Sequence, residues 1–213
     1  MRKTDVVVIG AGGAGRAMCS VLAYYGAKKI YITDFFEPCA QALVDDINNN
    51  FAPIAEFVHH GDTSKVAEVD VVMNASGVGM GKSIGQSPVD KEILKPNQFC
   101  FDACYNPAKT QFLLDAEAQG CKILNGLGMS LYQGAAQIEL WTGKKAPVEA
   151  MRQELLKTVA CKAALKAGIP NAPEHNAWVV ERLMEDASLR FCPHGRPVIH
   201  PLPRRDMEKF FDR

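Results

Sequence analysis

The chain has 213 residues, of which 47% are hydrophobic and 23% charged, and its formal net charge is zero. This composition is ordinary for a globular protein with a real core, and the balanced charge argues against a general attraction to nucleic acid or to membranes. No apolar run reaches membrane-spanning length, and because the chain enters an apolar strand at once we expect no secretory signal. The seven cysteines are scattered and odd in number, which favours reduced thiols in a cytoplasmic protein.

Strands and helices alternate over the first two thirds of the chain. Asp5–Ile9 is a β-branched run that predicts a strand buried on both faces, and a glycine-rich turn leads from it into a helix that ends near Gly26. Further strands are predicted at 28–34, 55–61, 69–76, 98–105 and 121–126, and helices at 38–51 and 108–120. This alternation predicts an α/β fold with a Rossmann-like, doubly wound parallel sheet.

After Gly128 the pattern becomes helical. Helices are predicted at 129–143, 147–168 and 174–187, and a short extended piece precedes a last helix at 204–211. The second of these could be one long helix or two. We therefore expect a Rossmann domain over residues 1–155 and a mainly helical C-terminal appendage over residues 156–213.

A glycine pattern follows the first predicted strand. Gly10, Gly12 and Gly15 match G-x-G-x-x-G, and Gly13 and Ala14 lie in the same turn and belong to the predicted cofactor site. The pattern alone is weak, but here a strand precedes it and a helix follows, as the dinucleotide-binding fingerprint requires. The glycines would permit a tight turn, the approach of a pyrophosphate and close packing of the helix, whose N-terminus would face the phosphates. The alternative is that all three glycines are purely structural.

Asp34 ends the second predicted strand, where a carboxylate can accept hydrogen bonds from an adenosine ribose. The same carboxylate would repel the 2′-phosphate of NADP. Phe35 and Phe36 follow it, where an NADP enzyme usually places an arginine. The pattern therefore favours NAD over NADP, and the alternative is an aspartate that only caps a turn.

Four segments carry a family resemblance: "VVVIGAGGAGRA", "VVMNASGVGM", "FDACYNPAKTQFL" and "NGLGMSLYQGAAQIELWTGKKAPVEAMRQ". Together they resemble the cofactor-binding domain of shikimate/quinate dehydrogenases over residues 1–155. The resemblance implies an NAD(P)-dependent interconversion of shikimate or quinate and the corresponding 3-oxo compound. It also implies that Tyr105 and Gln133 reach this small-molecule substrate. The residues that it places around the nicotinamide half of the cofactor are Asn74, Ser76, Gly126 and Met129.

The chain departs from the family pattern in several places. Asn125 stands where the family usually has aspartate, and "NASGVGM" lacks the usual Thr-Pro. Family members also carry an N-terminal domain whose lysine and aspartate shuttle the substrate proton, whereas this sequence starts at the first strand of the cofactor domain. We therefore expect a module that is incomplete as a catalyst. A separate subunit that carries the substrate domain could complete it.

The end of the chain carries a second resemblance. "VACKAALKAG" and "FCPHGRPVIHPLPRRDMEKFFDR" resemble the C-terminal end of MutL-type DNA mismatch-repair proteins over residues 155–213. Cys161, Cys192 and His194 are candidate ligands there, because thiolate and imidazole suit zinc. A structural zinc site normally has four ligands, so we expect at most weak zinc binding. The alternative is that Cys192 is a small buried residue and His194 a turn residue.

Two hypotheses of different classes follow. The first is an NAD-binding oxidoreductase module, and it accounts for more of the chain. The second is a mismatch-repair-like interaction or zinc-binding module carried on a Rossmann scaffold.

Overall fold

A computed structural model describes residues 4–163, 172–192 and 196–198 of the chain. The chain divides into two compact units, residues 1–151 and 152–213. The predicted domain boundary at residue 155 stays a prediction. Within the described ranges, no helix combines the length and the apolar character needed to cross a membrane.

The first unit is built on a six-stranded parallel sheet. Its strands are β1 (Asp5–Ile9), β2 (Lys29–Thr33), β3 (Ala55–Phe57), β4 (Val71–Asn74), β5 (Phe99–Asp102) and β6 (Lys122–Asn125). They lie in the order β3-β2-β1-β4-β5-β6. The order reverses between β1 and β4, and in such sheets ligands bind at the carboxyl ends of the strands beside this switch point. The predicted Rossmann-like α/β fold is confirmed.

Four helices connect the strands or follow them: α1 (Gly13–Tyr24), α2 (Glu37–Asn50), α3 (Gln111–Ala118) and α4 (Leu127–Thr142). α3 begins later than predicted because Thr110 caps it, its hydroxyl oxygen accepting a hydrogen bond from the backbone N–H of Leu113 at 3.4 Å. β2 ends one residue earlier than predicted, so Asp34 is the first residue beyond the strand.

Both faces of β1 are buried, as its composition predicts. Val6 and Val8 belong to one apolar cluster, which includes Leu43 of α2. Val7, between them in sequence, points to the opposite cluster, which includes Phe112 of α3. All three valines are at most 1% exposed. Side chains alternate across a strand, so a β-branched run without polar interruptions fits a strand that is covered on both sides.

The helices α5 (Val148–Ala163) and α6 (Pro173–Glu185) follow α4 in the chain, and the division between the two units falls within α5. In the second unit, Phe191 and Pro197 form an isolated antiparallel bridge at the predicted extended piece. The end of the predicted helix at 147–168 and the whole of the one at 204–211 lie outside the described residues.

Candidate functional site

One glycine in the turn after β1 and one in the first turn of α1 leave no room for a side chain. Gly10 has φ of 109°, and a Cβ atom there would lie 2.6 Å from backbone atoms of Ala75 and Ser76. A Cβ atom at Gly15 would lie 1.8 Å from the carbonyl oxygen of Gly10. These two glycines therefore allow the turn to pack against the end of β4 and α1 to pack against the turn.

The neighbouring glycines have a different environment. Gly12 and Gly13 are exposed, and nothing lies within 4 Å of a Cβ atom built on either one. Gly12 is the N-cap of α1, and the described first turn of that helix contains no acidic residue. The first N–H groups of a helix have no intrahelical partner and favour anions. The backbone at Gly12, Gly13 and Ala14 is thus accessible to a phosphate group.

The Asp34 carboxylate connects this turn to the end of β2. Oδ2 accepts a hydrogen bond from the backbone N–H of Ala11 at 2.7 Å, and Oδ1 accepts one from the N–H of Phe36 at 2.8 Å. The turn-capping role considered from the sequence is therefore present. Because a carboxylate offers about four lone-pair positions, two of which are occupied here, Asp34 can still accept hydrogen bonds from a ribose.

A cavity of about 580 Å³ lies beside Asp34. Its walls come from the glycine turn, the end of β2, and the segments 60–63, 76–78 and 87–90. Among its described lining residues there is no lysine or arginine, while three carboxylates are present. The lining residues that carry or can gain a charge are Asp34, His60, Asp62 and Asp90.

Glu37, in the first turn of α2, links two walls of the cavity. Its Oε1 accepts a hydrogen bond from the backbone N–H of His60 at 3.0 Å and lies 3.3 Å from Nδ1 of His59. The hydrogen bond from His60 and the interaction with His59 lower the pKa of the Glu37 carboxyl. Across the same junction, the rings of Phe35 and His60 meet edge to face with centroids 5.3 Å apart. The segment after β2 and the segment after β3 are thus held together.

At the ends of β4 and β5, Asn74 and Asp102 are register partners and both are fully buried. The Asn74 amide donates to Oδ1 of Asp102 at 3.0 Å and to the carbonyl oxygen of Val78 at 2.9 Å. Its Oδ1 accepts hydrogen bonds from the Ser76 hydroxyl at 2.6 Å and from the Ser76 N–H at 3.1 Å. These four bonds use both donors and both acceptor positions of the amide. The Asn74 side chain thereby positions Ser76, which is exposed, and its predicted place beside the cofactor stays a prediction.

Asp102 is the acceptor at the centre of this network. Besides the Asn74 bond, it accepts hydrogen bonds from the Thr110 hydroxyl at 2.5 Å and from the Cys104 N–H at 2.9 Å. Burial raises the pKa of the Asp102 carboxyl, while these donors act in the opposite direction. The Cys104 thiol lies 3.7 Å from the carbonyl oxygen of Val78, and burial raises its pKa to about 12, so it remains a donor at neutral pH.

The remaining predicted site residues lie on two neighbouring elements. Tyr105 is half-buried in the loop after β5. Gly126 follows β6, donates its N–H to the carbonyl oxygen of Cys104 at 3.1 Å, and would place a Cβ atom 1.9 Å from the carbonyl oxygen of Ala103. The turn at Gly126 is therefore packed against the loop that carries Tyr105. Met129 and Gln133 are exposed on α4, and their i, i+4 spacing puts them on one face.

The sequence analysis did not single out Asp102, Cys104 or Thr110. A signal was available for the first of them. Asn74 and Asp102 lie near the carboxyl ends of two successive predicted strands, 69–76 and 98–105, so two polar side chains at the same edge of a parallel sheet could have been anticipated. Cys104 and Thr110 carried no comparable signal, because their roles depend on the path of the loop.

The predicted metal ligands are only partly described. The backbone N–H of Arg196 donates to Sγ of Cys192 at 3.3 Å, beside the isolated bridge between Phe191 and Pro197. His194 and the side chain of Cys161 lie outside the described residues. In the part of the chain that was searched, no group of at least three His, Cys, Asp or Glu residues is placed to hold a metal ion. Weak zinc binding stays a prediction.

The strand order and the turn between β1 and α1 define a Rossmann-like α/β protein. Residues 126–156 match the family model of the shikimate 5′-dehydrogenase C-terminal domain. The curated shikimate dehydrogenase (NADP(+)) of Desulforamulus reducens is 40% identical over 160 residues, which cover 73% of this chain and 55% of that protein. These matches support the relationship of the chain to the shikimate dehydrogenase family.

Solved structures give the same result. The shikimate 5-dehydrogenase of Listeria monocytogenes, in complex with shikimate and NAD, is 35% identical with a TM-score of 0.66, covering 72% of this chain and 56% of that one. The quinate dehydrogenase of Corynebacterium glutamicum, in complex with NAD, is 33% identical with a TM-score of 0.67, covering 73% and 55%. The chain spans about half the length of the curated relatives it matches. The matches give no support to the MutL-like resemblance of residues 155–213, which stays a prediction.

Proposed function

We propose that this chain is the cofactor-binding part of an NAD(P)-dependent oxidoreductase of the shikimate/quinate dehydrogenase type. The observation that carries the proposal is the turn at the switch point of the sheet. There the exposed backbone of Gly12 and Gly13 lies at the N-terminus of α1, close to an acceptor carboxylate, Asp34. The similarity to shikimate and quinate dehydrogenases supports the same proposal.

The described residues fit a dinucleotide at this edge of the sheet. The N–H groups at residues 12–14 would bind its phosphates, Asp34 would accept hydrogen bonds from the adenosine ribose, and the cavity beside Asp34 has room for that end of the molecule. The nicotinamide ring, when bound, supplies the acceptor or donor of a hydride. Ser76, Gly126 and Met129 would surround that half, and Tyr105 and Gln133 would orient the substrate.

Within this proposal the cofactor is NAD(H) rather than NADP(H). The 2′-phosphate of NADP would enter a cavity whose described lining offers carboxylates and no lysine or arginine. The curated relative from Desulforamulus reducens is named as an NADP(+) enzyme, whereas the two solved relatives described above contain NAD. The names of the curated relatives favour NADP, whereas the charge around Asp34 supports NAD.

Among the described residues near Tyr105, none is placed as a free base for the substrate. Of the titratable groups closest in sequence to Tyr105, Lys109 is paired with Glu117 at 2.6 Å, and Asp102 is buried and accepts three hydrogen bonds. Oxidation of an alcohol needs a group that takes the hydroxyl proton, and a positioned base is commonly worth about 10²–10⁴-fold in rate. A further part of the protein or a separate subunit would supply it.

We therefore expect this chain, assayed without a partner, to turn over shikimate or quinate very slowly with NAD. Turnover should fall about 10²–10⁴-fold below the ordinary enzyme range of about 1–10³ per second, because the described residues around Tyr105 offer no positioned base for the hydroxyl proton. A steady-state assay on protein already shown to bind NADH measures this. Turnover within the ordinary range would show that the chain supplies its own acid–base pair.

A further inference from the structure

Two separate segments at the carboxyl end of the sheet meet at one buried carboxylate. The 74–78 turn carries Ser76, and the 103–110 loop carries Tyr105. We propose that Asp102 is a positioning residue that holds this turn and this loop as one unit. The inference deepens the proposed function and rests on it, because it assigns to Asp102 the fixed spacing between the cofactor side and the substrate side of that site.

Asp102 holds the turn in place through Asn74. The Asn74 amide can donate to the carbonyl oxygen of Val78 and accept from Ser76 only in one orientation, since its nitrogen and oxygen are not interchangeable. The bond from the same amide to Oδ1 of Asp102, at 3.0 Å, requires the same orientation and reinforces it. The position of Ser76 therefore depends on an acceptor at residue 102.

Asp102 also fixes the loop at both ends. It accepts the N–H of Cys104 near the start of the loop and the hydroxyl of Thr110 at its end. Thr110 is itself fully buried and caps α3, so the end of the loop is tied to a helix. Tyr105 lies between these two attachments.

The turn and the loop also contact each other directly. The Cys104 thiol donates to the carbonyl oxygen of Val78 at 3.7 Å, and the N–H of Ala103 donates to the carbonyl oxygen of Asn74 at 2.8 Å. These contacts join the same two segments that Asp102 joins. Removal of the Asp102 carboxylate would leave buried donors from both segments without an acceptor. An unsatisfied buried donor costs more free energy than the loss of an exposed hydrogen bond.

Amide hydrogen exchange tests this on the full chain. In Asp102→Ala we expect the N–H groups of Ser76 and Cys104 to exchange at least about tenfold faster together, since each is held directly or indirectly by this carboxylate. Asp102→Asn should restore slow exchange at both, because its amide oxygen can accept from Asn74 and Cys104 while its nitrogen donates to the Thr110 oxygen. Faster exchange in only one segment, or in neither, would overturn the proposal.

Gln98 offers a matched control. Gln98 lies directly before the N-terminal end of β5, whereas Asp102 ends that strand, and it is 5% exposed. Its amide donates to the carbonyl oxygens of Val66 and Val69 at 2.7 and 2.8 Å. Gln98→Ala should speed exchange near these residues and leave Ser76 and Cys104 as in the unmodified chain. If Gln98→Ala accelerates Ser76 and Cys104 as well, the effect of Asp102→Ala is general destabilisation and the positioning role is wrong.

If Asp102→Ala does not fold, Thr110→Val takes its place, because it removes one attachment with little change in volume. We then expect faster exchange at both Ser76 and Cys104, and a change confined to Cys104 overturns the proposal.

NADH titration of the same proteins separates the positioning role of Asp102 from the proposed function. An unmodified chain that does not bind NADH contradicts the proposed function, while the exchange result still decides whether Asp102 couples turn and loop. If the unmodified chain and the Asp102→Ala variant bind NADH equally well, the linkage of turn and loop by Asp102 does not contribute to cofactor binding.

Discussion

Gly15→Ala is expected to lower the free energy of unfolding by about 3 kcal/mol or more, the upper end of the usual cost of overpacking. The added Cβ atom would lie 1.8 Å from the carbonyl oxygen of Gly10. That oxygen cannot move away easily, because Gly10 is itself packed against Ala75 and Ser76 and donates its N–H to the carbonyl oxygen of Thr33 at 2.7 Å. For a chain of this size the melting temperature should fall by roughly 6–12 °C.

Gly12→Ala is the matched control for this substitution. Gly12 has φ of −70° and open space around a Cβ atom, so an alanine fits without strain. We expect its stability to stay within about 0.5 kcal/mol of the unmodified chain. NADH binding should nevertheless weaken by about tenfold or more, because the methyl group would occupy the approach of the pyrophosphate. A Gly15→Ala protein as stable as the unmodified chain, or a Gly12→Ala protein that binds NADH equally well, would contradict these two assignments.

The second large effect concerns the choice of cofactor. We expect NADH to bind more tightly than NADPH to the unmodified chain, and Asp34→Asn to narrow the difference by about tenfold or more, which corresponds to about 1.4 kcal/mol. Two unit charges 4 Å apart near a protein surface repel by about 4 kcal/mol, so removing one of them is sufficient for such a change. Competitive titrations with both cofactors measure it.

Asp90→Asn is the control for the cofactor experiment. Asp90 also lines the cavity, so this variant removes the same charge from the same lining at a different position. If the position of the carboxylate in the lining matters, Asp90→Asn should change the preference for NADH over NADPH less than Asp34→Asn does. Equal affinity of the unmodified chain for NADH and NADPH would contradict the assignment of Asp34.

The sheet could be predicted from the sequence because its signals are local. The uninterrupted β-branched run of β1 indicated burial on both faces, and Val6, Val7 and Val8 are buried on alternate sides. The glycine turn was equally predictable from the sequence, since the strand, the glycines and the helix follow one another directly. Helix ends were less predictable, and α3 begins at Gln111 only because the Thr110 side chain caps it.

The finer structure of the site depends on contacts between distant segments. The sequence analysis predicted Asp34 and Asn74 as cofactor residues, yet Asp34 also binds Ala11 and Phe36, and the Asn74 amide is fully used within the protein. Such partners are set by the register of neighbouring strands and by loop paths, neither of which has a local pattern. The cavity beside Asp34 could not be predicted for the same reason, because its walls come from several loops.

The central claim is that this chain binds a nicotinamide dinucleotide at the turn between β1 and α1. A titration of the unmodified chain with NADH, followed by calorimetry or by the fluorescence of the reduced nicotinamide, tests it most directly. We expect saturable binding at one site per chain, weakened by Gly12→Ala and tighter than the binding of NADPH. Absence of binding of both NADH and NADPH at concentrations up to about 1 mM, the upper end of ordinary KM values, would contradict the claim.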